Sequence, residues 1–133
     1  MVLKKLKLTN FRSHKSITLA PTSTTIIIGP NTSGKTNVLE AIYILSRGKS
    51  FRAHHDKDTI REGSGFARVD AEVLNENERT ALKVIFSLQK GYLSKKFLVN
   101  NVARRQHDFT SNFVSVLFTP HDIELITASP STR

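Results

Sequence analysis

Cysteine is absent from this 133-residue chain. Disulfides, thiolate metal sites and cysteine nucleophiles are thereby excluded, in keeping with a reducing compartment. Long apolar runs are missing as well: the run at 41–45 falls far short of the roughly 18–20 residues a membrane span needs. The opening MVLKKLKL alternates lysines with apolar residues and has no signal-peptide core, so a cytoplasmic chain with no membrane partner is expected. No internal repeat or low-complexity tract occurs. At 38% hydrophobic residues the chain has material for one compact domain with one core.

Acidic residues are scarce: 11 Asp and Glu stand against 20 Lys and Arg, a net charge of +9 that favours a polyanionic partner. Residues 1–66 hold 11 basic and 4 acidic side chains, whereas 67–133 hold 9 and 7. The excess therefore lies in the half that also carries the phosphate motif described below. Part of it serves a nucleotide on that reading, and part a nucleic acid.

Residues 2–8 read as an edge-like strand and 16–19 as a short returning strand, joined through a turn at Asn10-Phe11-Arg12-Ser13. The β-branched run at 24–28 has the composition of a strand buried on both faces. From 35 to 46 the period turns helical, with Val38, Leu39, Ala41, Ile42 and Leu45 on one stripe and Gly48 as the stop. Residues 47–65 are polar and basic, a long surface loop with one helical turn expected at 58–62. The period then becomes two: Ala67, Val69, Ala71 and Val73 are followed by Leu82, Val84, Phe86 and Leu88, an antiparallel pair with one wet face. Asn100-Asn101 suits a two-residue hairpin turn between two further strands, so 66–105 is expected to be an antiparallel β lobe. After an apolar run at 114–118, Thr119-Pro120-His121-Asp122 has the N-cap, first-position proline and capping-box acid of a helix start. Ser129-Pro130-Ser131 announces a second helix that 133 residues do not supply, so 119–133 reads as the start of a helical lobe that is cut short.

The residues that carry chemistry are Gly29-Pro30-Asn31-Thr32-Ser33-Gly34-Lys35-Thr36, which match G-x-x-x-x-G-K-[ST] at every fixed position between a β-branched run and an amphipathic helix. Such a loop wraps a β-phosphate with successive backbone N–H groups and needs glycine where φ is positive or a Cβ would collide. The helix behind it aims its unsatisfied N–H groups at the same oxygens. Lys35 is expected to reach the β- and γ-phosphates of ATP, and the Thr36 hydroxyl to ligate Mg²⁺.

Several nucleotide-handling classes lack their marks here. The D-x-x-G and N-K-x-D strings of a GTPase do not occur, and no apolar strand ends in the Asp-Glu pair that holds Mg²⁺ and activates water in P-loop ATPases. Asp70 and Glu72 alternate with apolar residues and read as a solvated strand face. Half an ATPase site is present, and no catalytic residue is assigned. Two other classes remain open: a nucleotide- or DNA-binding module without turnover, and a small P-loop kinase.

Five segments together resemble the N-terminal part of the RecF family. They are L-K-L-T-N-F-R-S-H at 6–14, the P-loop with N-V-L-E-A-I-Y-I-L-S running to 46, K-S-F-R at 49–52, F-T-P-H-D-I-E-L at 118–125 and S-P-S-T-R at 129–133. The resemblance implies an α/β P-loop NTPase, an ABC/SMC-type head lobe with an antiparallel β subdomain. It further implies a protein of DNA replication, recombinational repair and the SOS response to damage. In that family the head dimerises around ATP, binds duplex or junction DNA, and works with RecR and RecO to load a recombinase at gaps. Carried over by position, Asn31 stands where such heads have asparagine and Arg12 would approach the nucleotide phosphates. The family's signature motif, Walker B acid and switch histidine would follow Arg133.

The tract His54-His55-Asp56-Lys57-Asp58 does not read as a metal site, because adjacent histidines diverge on a strand or a helix. Two basic clusters are candidates for tracking a DNA backbone: Lys49, Arg52 and Lys57 in the loop, and Lys95, Lys96, Arg104 and Arg105 around the Asn100 hairpin. Contacts of this kind are weakly sequence-specific and strongly salt-dependent. Of the two, the loop cluster is favoured because it follows the P-loop helix.

Overall fold

The computed structural model describes residues 1–120 and 122. Six strands form one sheet in the order β2-β1-β3-β4-β5-β6: β1 (Val2–Phe11), β2 (His14–Leu19), β3 (Phe66–Asn75), β4 (Glu78–Gln89), β5 (Tyr92–Val99) and β6 (Val102–Arg104). Every neighbouring pair is antiparallel. The expected lobe at 66–105 is thus joined by β1 and β2, and β1 lies inside the sheet while β2 takes the edge. The cause is a long excursion: β1 pairs with β3 only after the chain has passed through the P-loop, helix α1 (Lys35–Arg47) and the basic loop.

Alternation of side chains aligns the core in rows. Leu8, Val69, Val84 and Phe97 are cross-strand partners, and Leu6, Ala71, Leu82 and Val99 form the next row. A register shift between Leu3 and Lys5 inserts Lys4 as an extra residue, so Leu3 and Leu6 both face inward although they are three positions apart. Helix α1 covers this face with Val38, Ala41, Ile44 and Leu45, and Phe109 of the short helix α2 (Gln106–Thr110) closes it beside Phe97, ring centroids 5.1 Å apart. On the opposite face Asp70 pairs with Arg68 and Lys83, and Glu72 with Lys5 and Arg79, which is the solvated face expected of those acids. Turn chemistry holds as expected at Asn100 and Asn101, whose φ angles are 50° and 64°.

The structure corrects several expectations. Residues 24–28 form no strand: Ile26 and Ile28 are 79% and 89% exposed, because no described strand supplies the ladder that would bury them. The apolar run at 114–118 likewise belongs to no strand, and Val116 is 96% exposed. The helical turn of the basic loop is a 3-10 turn at Asp56–Thr59, ahead of the expected 58–62, and Ile60 beyond it forms a bridge to Phe11. The buried stripe of α1 also turns: Asn37, Glu40 and Ile44 are buried while Leu39 is exposed. At 119–122 the helix start is present, with the Asp122 carboxylate accepting from the Thr119 N–H and hydroxyl. The second start at 129–131 lies outside the described residues, as do His121 and 123–133.

Candidate nucleotide site

The loop from Gly29 to Gly34 delivers the chain into α1. Thr32 and Gly34 have φ of 70° and 89°, so the loop takes two left-handed steps that turn its backbone inward. Glycine is needed at 34 for a second reason: a Cβ there would sit 2.6 Å from His14 Nε2 and 2.7 Å from Ser13 Oγ. His14 Nε2 instead donates to the Gly34 carbonyl at 3.1 Å, so the β1–β2 turn is pressed against the end of the loop. Lys35 Nζ folds back over the loop and donates to the carbonyls of Gly29 and Pro30 at 2.6 and 2.5 Å. That holds the ammonium against the first two residues of the loop.

Helix α1 starts at Gly34 with no side-chain cap and no acid in its first turn. Its leading N–H groups and positive dipole end therefore meet the loop without a protein anion to compensate them, which suits a phosphate group. Thr36 is exposed on this first turn and borders an open groove of about 830 Å³ together with Leu39, Tyr43, Arg52 and Phe118. Its hydroxyl is the group that would hold Mg²⁺, and Asn31 lies exposed in the loop beside it.

Behind the first turn lies a buried charge cluster that sequence reasoning missed. Glu40, fully buried, accepts from Arg12 Nε at 3.0 Å and Arg12 Nη2 at 2.6 Å, from Ser50 Oγ at 2.6 Å and from Arg52 Nε at 2.9 Å. Arg52 also donates to the Asn37 side chain, and Asn37 donates to Ser13 Oγ at 2.9 Å. Burial alone would raise the Glu40 carboxyl, but hydrogen bonds from Arg12, Ser50 and Arg52 and the charge of Arg12 outweigh it and hold the group below its ordinary range. The available signal was an acid three residues after Asn37 on a helix stripe that otherwise faces the core.

The structure places the other candidates unequally. Arg12, expected near the phosphates, has its guanidinium on Glu40. Arg52 is committed to Glu40 and Asn37. Lys95 is tied to Asp56 at 2.5 Å and to the Gly48 carbonyl at 2.8 Å, with its ammonium over the rings of Phe86 and Phe97, 5.5 and 5.7 Å from their centroids. By contrast Lys49, Lys57, Lys96, Arg104 and Arg105 are exposed and make no ion pair among the described residues. Lys95 at Gly48, and Gln106 at the Arg47 carbonyl, bring the hairpin and loop clusters to one place. Lys49, His54, His55 and Lys57 line a single cleft there, closed on one side by Leu93.

A glycine loop feeding an uncapped helix, mounted beside an antiparallel sheet, defines a P-loop NTPase head lobe of the ABC/SMC type. The chain belongs to the AAA ATPase domain family, whose profile matches residues 1–130. Its likeness to RecF proteins extends over the entire chain. It is 43% identical to the DNA replication and repair protein RecF of Desulforamulus reducens and 38% identical to that of Oenococcus oeni, covering 100% of this chain and 35% of each relative. The chain thus spans about a third of the length of these relatives. The solved structure of the recombination mediator protein RecF with ATP superposes with a TM-score of 0.83 at 28% identity, over 98% of this chain and 35% of that one. The SMC head domain from Thermotoga maritima gives 0.67 at 25% identity, over 86% of this chain and 43% of its own.

Proposed function

We propose that this chain is the ATP-binding part of a RecF-like protein of DNA replication and recombinational repair. The observation that carries the reading is the loop 29–36 with Lys35 folded back onto its first two carbonyls, leading into the uncapped start of α1. There the backbone N–H groups cradle the β-phosphate, Lys35 neutralises the β- and γ-oxygens, and Thr36 holds Mg²⁺. The likeness to a RecF structure with ATP supports this assignment.

In the same reading the exposed cations Lys49, Lys57, Lys96, Arg104 and Arg105 meet the phosphate backbone of duplex or junction DNA. We extend the reading to a wider role, an ATP-dependent homodimer that works with RecR- and RecO-type mediators to load a recombinase at gaps; the likeness to a recombination mediator of the RecFOR pathway supports it. Among the described residues no helix is long and apolar enough to cross a membrane. A second reading, nucleotide binding without turnover by this chain, is favoured by one feature: no carboxylate stands between Gly29 and Leu39 to face Thr36 across a bound Mg²⁺.

Calorimetric titration with Mg-ATP tests the reading. Saturable binding of one nucleotide per chain supports it, and the absence of binding at millimolar ATP rejects it.

A further inference from the structure

Loop 47–65 is held at both ends to the structure around the phosphate loop. At its start, Ser50 and Arg52 reach back along α1 to Glu40 and Asn37, and Phe51 packs edge-on against Tyr43, ring centroids 5.5 Å apart. At its end, the Arg12 N–H donates to the Thr59 carbonyl and the Arg61 N–H to the Asn10 carbonyl, each at 2.8 Å. Both attachments converge on one group, because the Glu40 carboxylate binds Arg12 from the β1–β2 turn and Arg52 from the loop. Glu40 also lies one helical turn beyond Thr36 on α1.

We propose that Glu40 is a positioning residue that couples the phosphate loop to the basic loop, with Arg52 as its tie. The proposal rests on ATP binding at 29–36. The first turn of α1 carries no cap of its own, so a bound triphosphate supplies the anion that fixes it. Fixing that turn fixes Asn37 and Glu40, the two residues that hold Arg52. The start of the basic loop is thereby ordered through Asn37 and Glu40. Two guanidiniums on a single carboxylate leave one positive charge in excess, so Arg52 can be removed while the one-to-one pair of Glu40 with Arg12 remains. Arg52 accordingly acts as an internal tie, whereas Lys49 and Lys57 are exposed and make no ion pair among the described residues.

Hydrogen exchange of the amides at 50–59, measured with and without saturating Mg-ATP, tests the coupling in wild type, Arg52→Met and Arg52→Lys. Calorimetry on the same samples establishes whether ATP binds. In wild type Mg-ATP should slow exchange in this segment by about fivefold or more. In Arg52→Met the slowing should disappear while the amides of β3 and β4 keep their wild-type protection, and Arg52→Lys should recover part of it. Equal nucleotide-dependent slowing in Arg52→Met overturns the proposal, as does a general loss of protection in β3 and β4. Wild type that binds ATP without protecting the loop refutes the coupling alone. Wild type that binds no ATP refutes the nucleotide site itself.

Discussion

Arg12 and Glu40, 28 positions apart in sequence, form a two-pronged ion pair with N–O distances of 3.0 and 2.6 Å. Arg12 sits in the β1–β2 turn with φ of 53°, a left-handed conformation that costs a non-glycine residue roughly 1–2 kcal/mol. The pair offsets this strain and fixes the turn against the end of the phosphate loop, where Ser13 and His14 crowd Gly34.

Glu40→Gln should destabilise the chain by about 3 kcal/mol, since it leaves two partly buried guanidiniums without a charge partner. The carboxyl is held below its ordinary value of 4.5, so its contribution is complete above that pH and is lost as pH falls through the lowered value. Thermal unfolding followed from pH 6 to pH 3 should therefore show the gap between wild type and Glu40→Gln narrowing in acid. A gap that stays constant over that range would show that the carboxylate's charge contributes nothing.

Gly34→Ala should impair both folding and Mg-ATP binding. The φ of 89° strains any side chain, and although the His14 ring can swing away from the new Cβ, doing so gives up its bond to the Gly34 carbonyl. Chemical denaturation and ATP titration measure the two losses; wild-type values in both would contradict the loop geometry.

For DNA, the cations divide by their partners. Neutralising Lys49, Lys57, Arg104 and Arg105 together should weaken duplex binding and lower the slope of log affinity against log salt by about 0.9 for each phosphate that is no longer neutralised. Replacing Arg52 and Lys95 by glutamine should leave that slope nearly unchanged, because both side chains are spent on internal partners. The opposite ranking would place the DNA elsewhere.

Turnover by this chain should not exceed background, since residues 29–39 contain no carboxylate and Asp122, which lines the same groove as Thr36, accepts from the Thr119 N–H and hydroxyl. Phosphate release from purified protein reads this directly. A rate that Lys35→Ala removes would reveal an acid supplied from another part of the chain.

Much of this site was legible because its signals are local. The spacing of Gly29, Gly34 and Lys35, the period of α1 and the Asn100-Asn101 turn each follow from the conformations their own residues allow. Burial at 24–28 was not legible, because a β-branched run states a preference while a partner strand decides the outcome. Glu40 was hidden for a related reason: its partners Arg12 and Arg52 come from segments on either side of α1, and only the fold brings them together. The same long-range pairings separate Arg52 and Lys95, which are occupied, from Lys49 and Arg105, which make no ion pair among the described residues, although composition presents all four alike.

The central claim is that residues 29–36 hold ATP through Lys35. Calorimetric titration of wild type and Lys35→Ala with Mg-ATP, after circular dichroism has shown both to be folded, tests it most directly. Saturable binding by wild type that is lost in Lys35→Ala is the predicted result, and undiminished affinity in the variant would contradict it.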